Sequence, residues 1–381
     1  MIQKLHISGF KCFRDLDLPQ LGRINLFVGK NNSGKSSILE AVELFASDTI
    51  QALFAASGRR GRGMPLDTHG LGGKRKPRLN MYRLAGLLTD LFHRDRLGWN
   101  KGVICMKSGE SKSTLTMHLG PMVVDIVQRE LSIFPSEAEI GHRIPPEFLA
   151  HMLGDEFSIR RGDNIVRLNA SEDGFIRQIF QLDETYHGLT HPQSKPVRFV
   201  TARGLSSEQA RGQWDRLSLE GKDEAVLDWM RLIEPELREI RFLREAGSTE
   251  QLYLRINGDT GFKPLFAYGD GLTRIFHLAL AAADASNGIL LIDEFENGLH
   301  WSVQKELWRV ILEASQKFDI QVFATTHSRD CLQSLAEVQS EQLLGNPAAI
   351  YRLERTDDTI YAQILPVDAI QSAMEYAVEV R

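Results

Sequence analysis

The run Gly29-Lys30-Asn31-Asn32-Ser33-Gly34-Lys35-Ser36-Ser37 has the residue types and spacing to grip a chain of phosphates. It satisfies G-x-x-x-x-G-K-[ST], in which two glycines let backbone N–H groups wrap the anion. Lys35 is placed to reach the β- and γ-phosphates and the Ser36 hydroxyl to ligate Mg²⁺. Asn31, Asn32, Ser33 and Ser37 complete the cradle. A glycine turn can match the pattern by chance, and here the flanks argue against that. Ile24-Asn25-Leu26-Phe27-Val28 precedes the loop and Ile38-Leu39-Glu40-Ala41-Val42-Glu43-Leu44-Phe45 follows it. Strand, loop, helix is the order that sets a phosphate on a positive helix N-terminus.

Two stretches far downstream carry groups that could act on such a ligand. Gly288-Ile289-Leu290-Leu291-Ile292-Asp293-Glu294 is an apolar run ending in two carboxylates. It reads as a buried parallel strand, and open α/β sheets bind ligands at the carboxyl ends of such strands. Asp293 is expected in the Mg²⁺ shell, and Glu294 as the base or the group orienting an attacking water. Surface acids capping a strand are the competing reading, which the upstream loop disfavours. Ile320-Gln321-Val322-Phe323-Ala324-Thr325-Thr326-His327-Ser328 is a second buried-type strand, ending in an imidazole that can sense a terminal phosphate. Between the two halves, Gly269-Asp270-Gly271 opens a helix predicted to run to about Ala285. Its N–H groups and positive dipole end suit a γ-phosphate, and Asp270 reads equally as an ordinary N-cap.

The elements that must position these groups are unevenly legible. Residues 2–8 and 16–18 read as short strands around Gly9-Phe10-Lys11-Cys12-Phe13-Arg14. Residues 57–78 are rich in glycine and basic side chains (Arg59, Arg60, Arg62, Lys74, Arg75, Lys76, Arg78), which reads as a mobile loop, either contacting phosphates or simply solvated. Residues 80–195 read as an insertion. It has strands at Leu115-Thr116-Met117-His118-Leu119 and Ile165-Val166-Arg167-Leu168, and short proline-started helices at 121–128, 135–140 and 146–152. Beyond it, strands are predicted at 197–203, 239–244 and 251–256 and a helix over 222–234. A helix, a hairpin (350–353 with 359–365) and a last helix over 366–380 close the chain.

The 381 residues suffice for one large domain with an insertion, and 43% hydrophobic with 25% charged residues is ordinary for a globular protein. A net charge of −5 gives no global pull toward nucleic acid or anionic membranes. Cys12, Cys105 and Cys331 have neither pairing nor metal-ligand spacing. With no apolar run long enough for a membrane span and no signal-peptide core, a cytoplasmic protein is expected.

These elements in this order resemble the ABC-type ATPases, in the branch that holds SMC, RecF and OLD (overcoming lysogenization defect) proteins. The likeness is carried by Ile7-Ser8-Gly9-Phe10-Lys11-Cys12-Phe13, the loop at 29–37, Ile292-Asp293-Glu294-Phe295-Glu296-Asn297-Gly298-Leu299-His300 and Thr325-Thr326-His327-Ser328. It implies an α/β fold, a P-loop NTPase of ABC-ATPase type with an antiparallel β subdomain and a partly helical insertion. On that likeness, residues 1–47 and 197–381 form the ATPase domain and 48–196 the β subdomain with its insertion. It implies ATP and Mg²⁺ as cofactors, and a homodimer, with higher assembly open, in which ATP lies between two heads. Gly269, Asp270, Gly271 and Arg274 would then act in trans, Lys11 and Phe13 would lie near the nucleotide, and His300 would face the seam. Gly269-Asp270-Gly271 departs from the branch's Ser-Gly-Gly signature. No nuclease domain of the TOPRIM type and no coiled-coil arm is legible.

Two functions follow from the resemblance. One is an ATP-hydrolysing switch that controls a separate effector, a TOPRIM-type nuclease or a toxin, in bacterial antiphage defence. The other is a DNA-binding ATPase of repair or recombination, for which the basic residues at 59–78 are the support.

Overall fold

The computed structural model describes residues 1–47, 195–243, 251–341, 348–357 and 359–366, with Ala52, Ile370 and short segments between 66 and 169. The helices predicted at 121–128, 135–140, 146–152 and 366–380, and nearly all of the basic loop, lie outside the described residues.

Two six-stranded sheets organise the fold. Along the chain the elements are β1 (Leu5–Phe10), β2 (Phe13–Leu18), β3 (Ile24–Val28), α1 (Lys35–Ala46), β4 (Val103–Lys107), β5 (Thr114–Leu119), β6 (Glu156–Arg161) and β7 (Asn164–Asn169). There follow β8 (Val197–Val200), α2 (Ser207–Leu219), α3 (Asp223–Ile233), β9 (Leu237–Leu243), β10 (Gln251–Ile256) and α4 (Asp270–Asp284). The last are β11 (Ile289–Ile292), α5 (Trp301–Lys317), β12 (Gln321–Thr326), α6 (Arg329–Ser340), β13 (Ala349–Thr356) and β14 (Thr359–Ile364). The core sheet runs β8-β11-β12-β3-β13-β14, parallel except for the last strand. The second sheet runs β7-β6-β5-β4-β1-β2 and is antiparallel throughout.

The core strands are apolar without alternation because both of their faces are covered. Alternate residues enter different cores. Leu26, Val28, Leu290, Ile292, Val322 and Ala324 pack with α4, α5 and α6. Phe27, Leu291 and Phe323 pack with α1, β1 and β2. A period of two thus sorts one strand between two layers. Phe27 stacks between Phe323 and Tyr351, with ring centroids 6.5 and 5.6 Å away, and so ties three neighbouring strands.

The β subdomain is joined to the N-terminal hairpin: β4 pairs with β1, so one sheet spans residues on both sides of position 48. The first hairpin strand lies three residues later at its start and two at its end than expected and the second begins three residues earlier, so the chain turns tightly at Lys11, whose φ is +49°. The strands expected near 115 and 165 are β5 and β7. Helix α2 carried no readable signal beyond its capping box of Ser206 and Gln209. No helix among the described residues is long and apolar enough to cross a membrane.

Candidate nucleotide site

Strands β3, β11 and β12 are neighbours in register, so their carboxyl ends bring the loop, the two carboxylates and the histidine to one sheet edge. The loop between β3 and α1 is built by backbone shape. Gly29 and Gly34 have φ of +152° and +91°. A Cβ on Gly29 would lie 2.6 Å from the Leu353 carbonyl oxygen, and one on Gly34 would lie 2.8 Å from the Phe13 ring. Only glycine fits either place. Gly34 caps α1 and no side chain takes that role, which leaves the helix start to an anion. Lys35 Nζ donates to the carbonyls of Gly29 (2.6 Å) and Lys30 (2.9 Å). Burial pushes its ammonium below the usual lysine range, against the opposing pull of Glu296, Asp293 and Glu294.

The carboxylate side is built by hydrogen bonds. Ser36 Oγ donates to Asp293 Oδ1 at 3.0 Å, and Thr325 Oγ1 donates to the same oxygen at 2.7 Å. Thr325 Oγ1 also accepts the Glu294 N–H at 2.9 Å. Glu294 sits at φ +49°, an unfavourable place for a residue with a side chain. Arg274, on α4 and buried, holds it there. Its guanidinium donates to the carbonyls of Asp293 and Glu294, both at 2.9 Å, and to that of Thr201. Burial lowers this guanidinium to about 10, so it remains cationic at neutral pH. Glu296 completes the set: its carboxylate accepts from Thr326 Oγ1 (2.7 Å) and the His327 N–H (3.0 Å), and lies 3.0 Å from His327 Nδ1. Half of the His327 side chain remains open to solvent.

The residues that could hold Mg²⁺ are thus Ser36 and Asp293, hard oxygen donors already in contact. Two such ligands leave the rest of an octahedral shell to phosphate and water, which fits this ion.

Several expectations are corrected by this geometry. Phe13 is wholly buried beneath Gly34, so it supports the loop and does not face a ligand. The Lys11 ammonium is ion-paired with Glu40 of α1 and lies over the Phe10 ring, turned into the core by its positive φ. Arg274 is spent within its own chain, so it has no reach to act in trans. Asp270 is not the N-cap; Gly269, at φ +93°, is, and Asp270 is the first helical residue. Residues 269–271 and His300 are at the surface, with His300 capping α5. The start of α4 leans on the turn after the carboxylates: a Cβ on Gly271 would lie 3.4 Å from the Gly298 carbonyl oxygen. Thr325, Thr326 and Glu296 received no role from the sequence. The one available signal was the second acid two places after Glu294, in Asp293-Glu294-Phe295-Glu296.

Comparison with known proteins agrees with this geometry. Residues 1–87 match the family described as "AAA ATPase domain", and residues 143–330 match "AAA domain, putative AbiEii toxin, Type IV TA system". Between them they take in the phosphate loop, the two carboxylates and His327. The chain is 20% identical over 379 residues to an "ATP/GTP phosphatase" of Helicobacter pylori (strain ATCC 700392 / 26695), covering 94% of each. It is 40% identical over 53 residues to the OLD nuclease of Thermus scotoductus (strain ATCC 700910 / SA-01), covering 14% of this chain and 10% of that protein. By these matches the chain is an ATPase, similar to AAA ATPase domains and, over a short stretch, to an OLD nuclease. Among solved structures, the ATPase is similar to an SMC head bound to the C-winged helix domain of ScpA, with a TM-score of 0.49 and 15% identity, covering 96% of this chain and 98% of that one. It binds and hydrolyses ATP.

Proposed function

We propose that this ATPase is a nucleotide-gated switch, acting in the cytoplasm, that controls a separate nuclease or toxin in defence against phage. Lys35 and the N–H groups of residues 29–37 bind the phosphates. Ser36 and Asp293 hold Mg²⁺, which neutralises phosphate charge when bound. Glu294 takes the proton of the attacking water, and His327, oriented by Glu296, contacts the terminal phosphate. Two chains close head to head on ATP, with residues 269–271 of one reaching the nucleotide of the other, and hydrolysis reopens them.

The observation that carries this reading is the grip of Arg274 on the carbonyls of Asp293 and Glu294. Helix α4 joins the surface turn at 269–271 to the backbone that aims the base. Whatever docks on the helix start therefore bears on Glu294, and a ligand that engages both chains only when closed shifts that equilibrium. The similarity to a toxin-type AAA family and to an OLD nuclease supports the defence setting.

The test is Glu294→Gln, expressed with its neighbouring genes and purified with Mg·ATP. Turnover is expected to fall about 10²- to 10⁴-fold with ATP still bound. The protein is expected to run as a dimer by light scattering and to retain a stoichiometric nuclease or toxin. A monomer that turns over at the wild-type rate would overturn the base and the dimer together. Duplex DNA released by salt, with no second protein, would replace the switch by a repair ATPase.

A further inference from the structure

A cavity of 320 Å³ opens on the far side of the phosphate loop from Glu294, between residues 30–33 and residues 352–356 at the end of β13. Its volume is in the range of about 300–1,000 Å³ usual for small-molecule sites. Two observations show a prepared site. The Ser33 hydroxyl, on a residue only 3% exposed, lines the cavity and finds no hydrogen-bond partner among the described residues. Arg355 Nη1 reaches the Asn32 carbonyl at 3.4 Å, tying the loop to the hairpin across the cavity floor. At the wall, Arg352 Nη2 lies 2.7 Å from Glu354 Oε1 and steadies a carboxylate whose side chain is half exposed.

The sheet order decides what this cavity faces. Strand β3 has β12 and then β11 on one side, which carry His327 and then Asp293 and Glu294 beyond their ends; it has β13 on the other. A triphosphate on the loop must turn its terminal phosphate toward the carboxylates. Its nucleoside end then leaves toward β13. We infer that the cavity between the loop and β13 is the nucleoside subsite, with Glu354 reading the hydrogen-bonding edge of a purine. This rests on the phosphate site proposed above. A carboxylate accepts from two adjacent donors, which guanine offers at N1 and N2; adenine presents one donor beside an acceptor. An amide instead matches the adenine pattern of one donor and one acceptor. Glu354 therefore admits GTP alongside ATP, and Arg352 is the positioning residue that holds the carboxylate.

The experiment compares kcat/KM for Mg·ATP, Mg·GTP and inorganic tripolyphosphate in the full chain, wild type and Glu354→Gln. The ratio of GTP to ATP is expected to fall about tenfold in the variant, while tripolyphosphate, which has no base to read, keeps its turnover. Arg352→Ala should weaken the preference in the same direction and by less. An unchanged ratio overturns the assignment, and so does an equal loss for all three substrates, which would be damage to the hairpin. Lys35→Ala separates the two readings. Tripolyphosphate turnover surviving that change would sink the phosphate site itself, whereas its loss with the base ratio unmoved would sink only the nucleoside subsite.

Discussion

The two sides of the site are built by opposite means. The phosphate loop is a matter of excluded volume, with Gly29 pressed on a β13 carbonyl and Gly34 on the Phe13 ring. The carboxylate side is a matter of polar grip: Arg274, Thr325 and Thr326 take hold of Asp293, Glu294 and Glu296 through carbonyls and side-chain oxygens. The difference teaches where each side can move. A close-packed loop is rigid and ready for its ligand. A polar grip reaching into a surface helix can be loosened from outside. The side that must bind is locked, and the side that must be timed is held through α4.

The sharpest way to break this comparison is on the loop. Lys35→Ala removes the cation that bridges the carbonyls of the loop, and ATP turnover should fall on the order of 10³-fold with nucleotide binding lost in calorimetry. Gly34→Ala should do nearly as much without touching a charge, since its Cβ would meet the Phe13 ring at 2.8 Å and Cys12 Sγ at 2.9 Å. Its thermal stability should also drop by about 2–4 kcal/mol. Should Gly34→Ala bind ATP normally, the loop is not held by volume and the contrast fails.

On the carboxylate side the effects should be smaller and should fall on kcat. Arg274→Met takes a donor from the carbonyls of Thr201, Asp293 and Glu294. Those of Thr201 and Glu294 keep the N–H groups of Gly204 and Asn297, while that of Asp293 is left without a donor among the described residues, at a cost of about 1–3 kcal/mol. With Glu294 no longer held at its positive φ, kcat should fall about 10- to 100-fold while ATP affinity changes little. Arg274→Lys should not rescue it, because one ammonium cannot reproduce a planar fork to three acceptors. A loss confined to affinity would show that α4 does not govern the base. Thr325→Val, of similar shape, removes the donor to Asp293 Oδ1 and the acceptor of the Glu294 N–H. It should cost about tenfold in kcat and raise the Mg²⁺ needed for half-maximal rate.

The same contrast explains what could be read from the residues alone. The loop was legible because excluded volume demands particular residue types at fixed spacing, and Gly29, Gly34, Lys35 and Ser36 sit within one short run. The core strands were legible because burial on two faces leaves an unbroken apolar run ending at Asp293. The grip was not. Arg274 is 19 positions from Asp293 and Thr325 is 32 away, and a hydrogen bond to a backbone carbonyl leaves no pattern in the sequence. Resemblance placed Arg274, Lys11 and Phe13 on the ligand because it transfers position and not orientation. Burial turned all three inward.

The smallest expected effect concerns acid. His277 lies one turn beyond Arg274 on α4, half-buried, its Nδ1 accepting the Leu205 N–H at 3.2 Å. A Cβ on Gly204, at φ +85°, would fall 2.3 Å from that nitrogen, so the chain closes tightly over the ring. Burial, aided by the Arg274 charge, pushes the imidazole down to about 4 from an ordinary value of 6.5. Between those values the unfolded chain takes up a proton that the folded chain refuses. Stability is therefore whole above pH 6.5 and declines as pH falls toward 4, by about 3 kcal/mol at most. The strain falls on the helix that aims Glu294 and not on the loop. His277→Asn, which keeps an acceptor for Leu205, should lower the melting temperature at pH 7.5 by a few degrees through lost packing, yet flatten its slope between pH 6.5 and 4.5. An equally steep slope in the variant would mean that acid acts elsewhere, and that α4 is not the weak link of the carboxylate side.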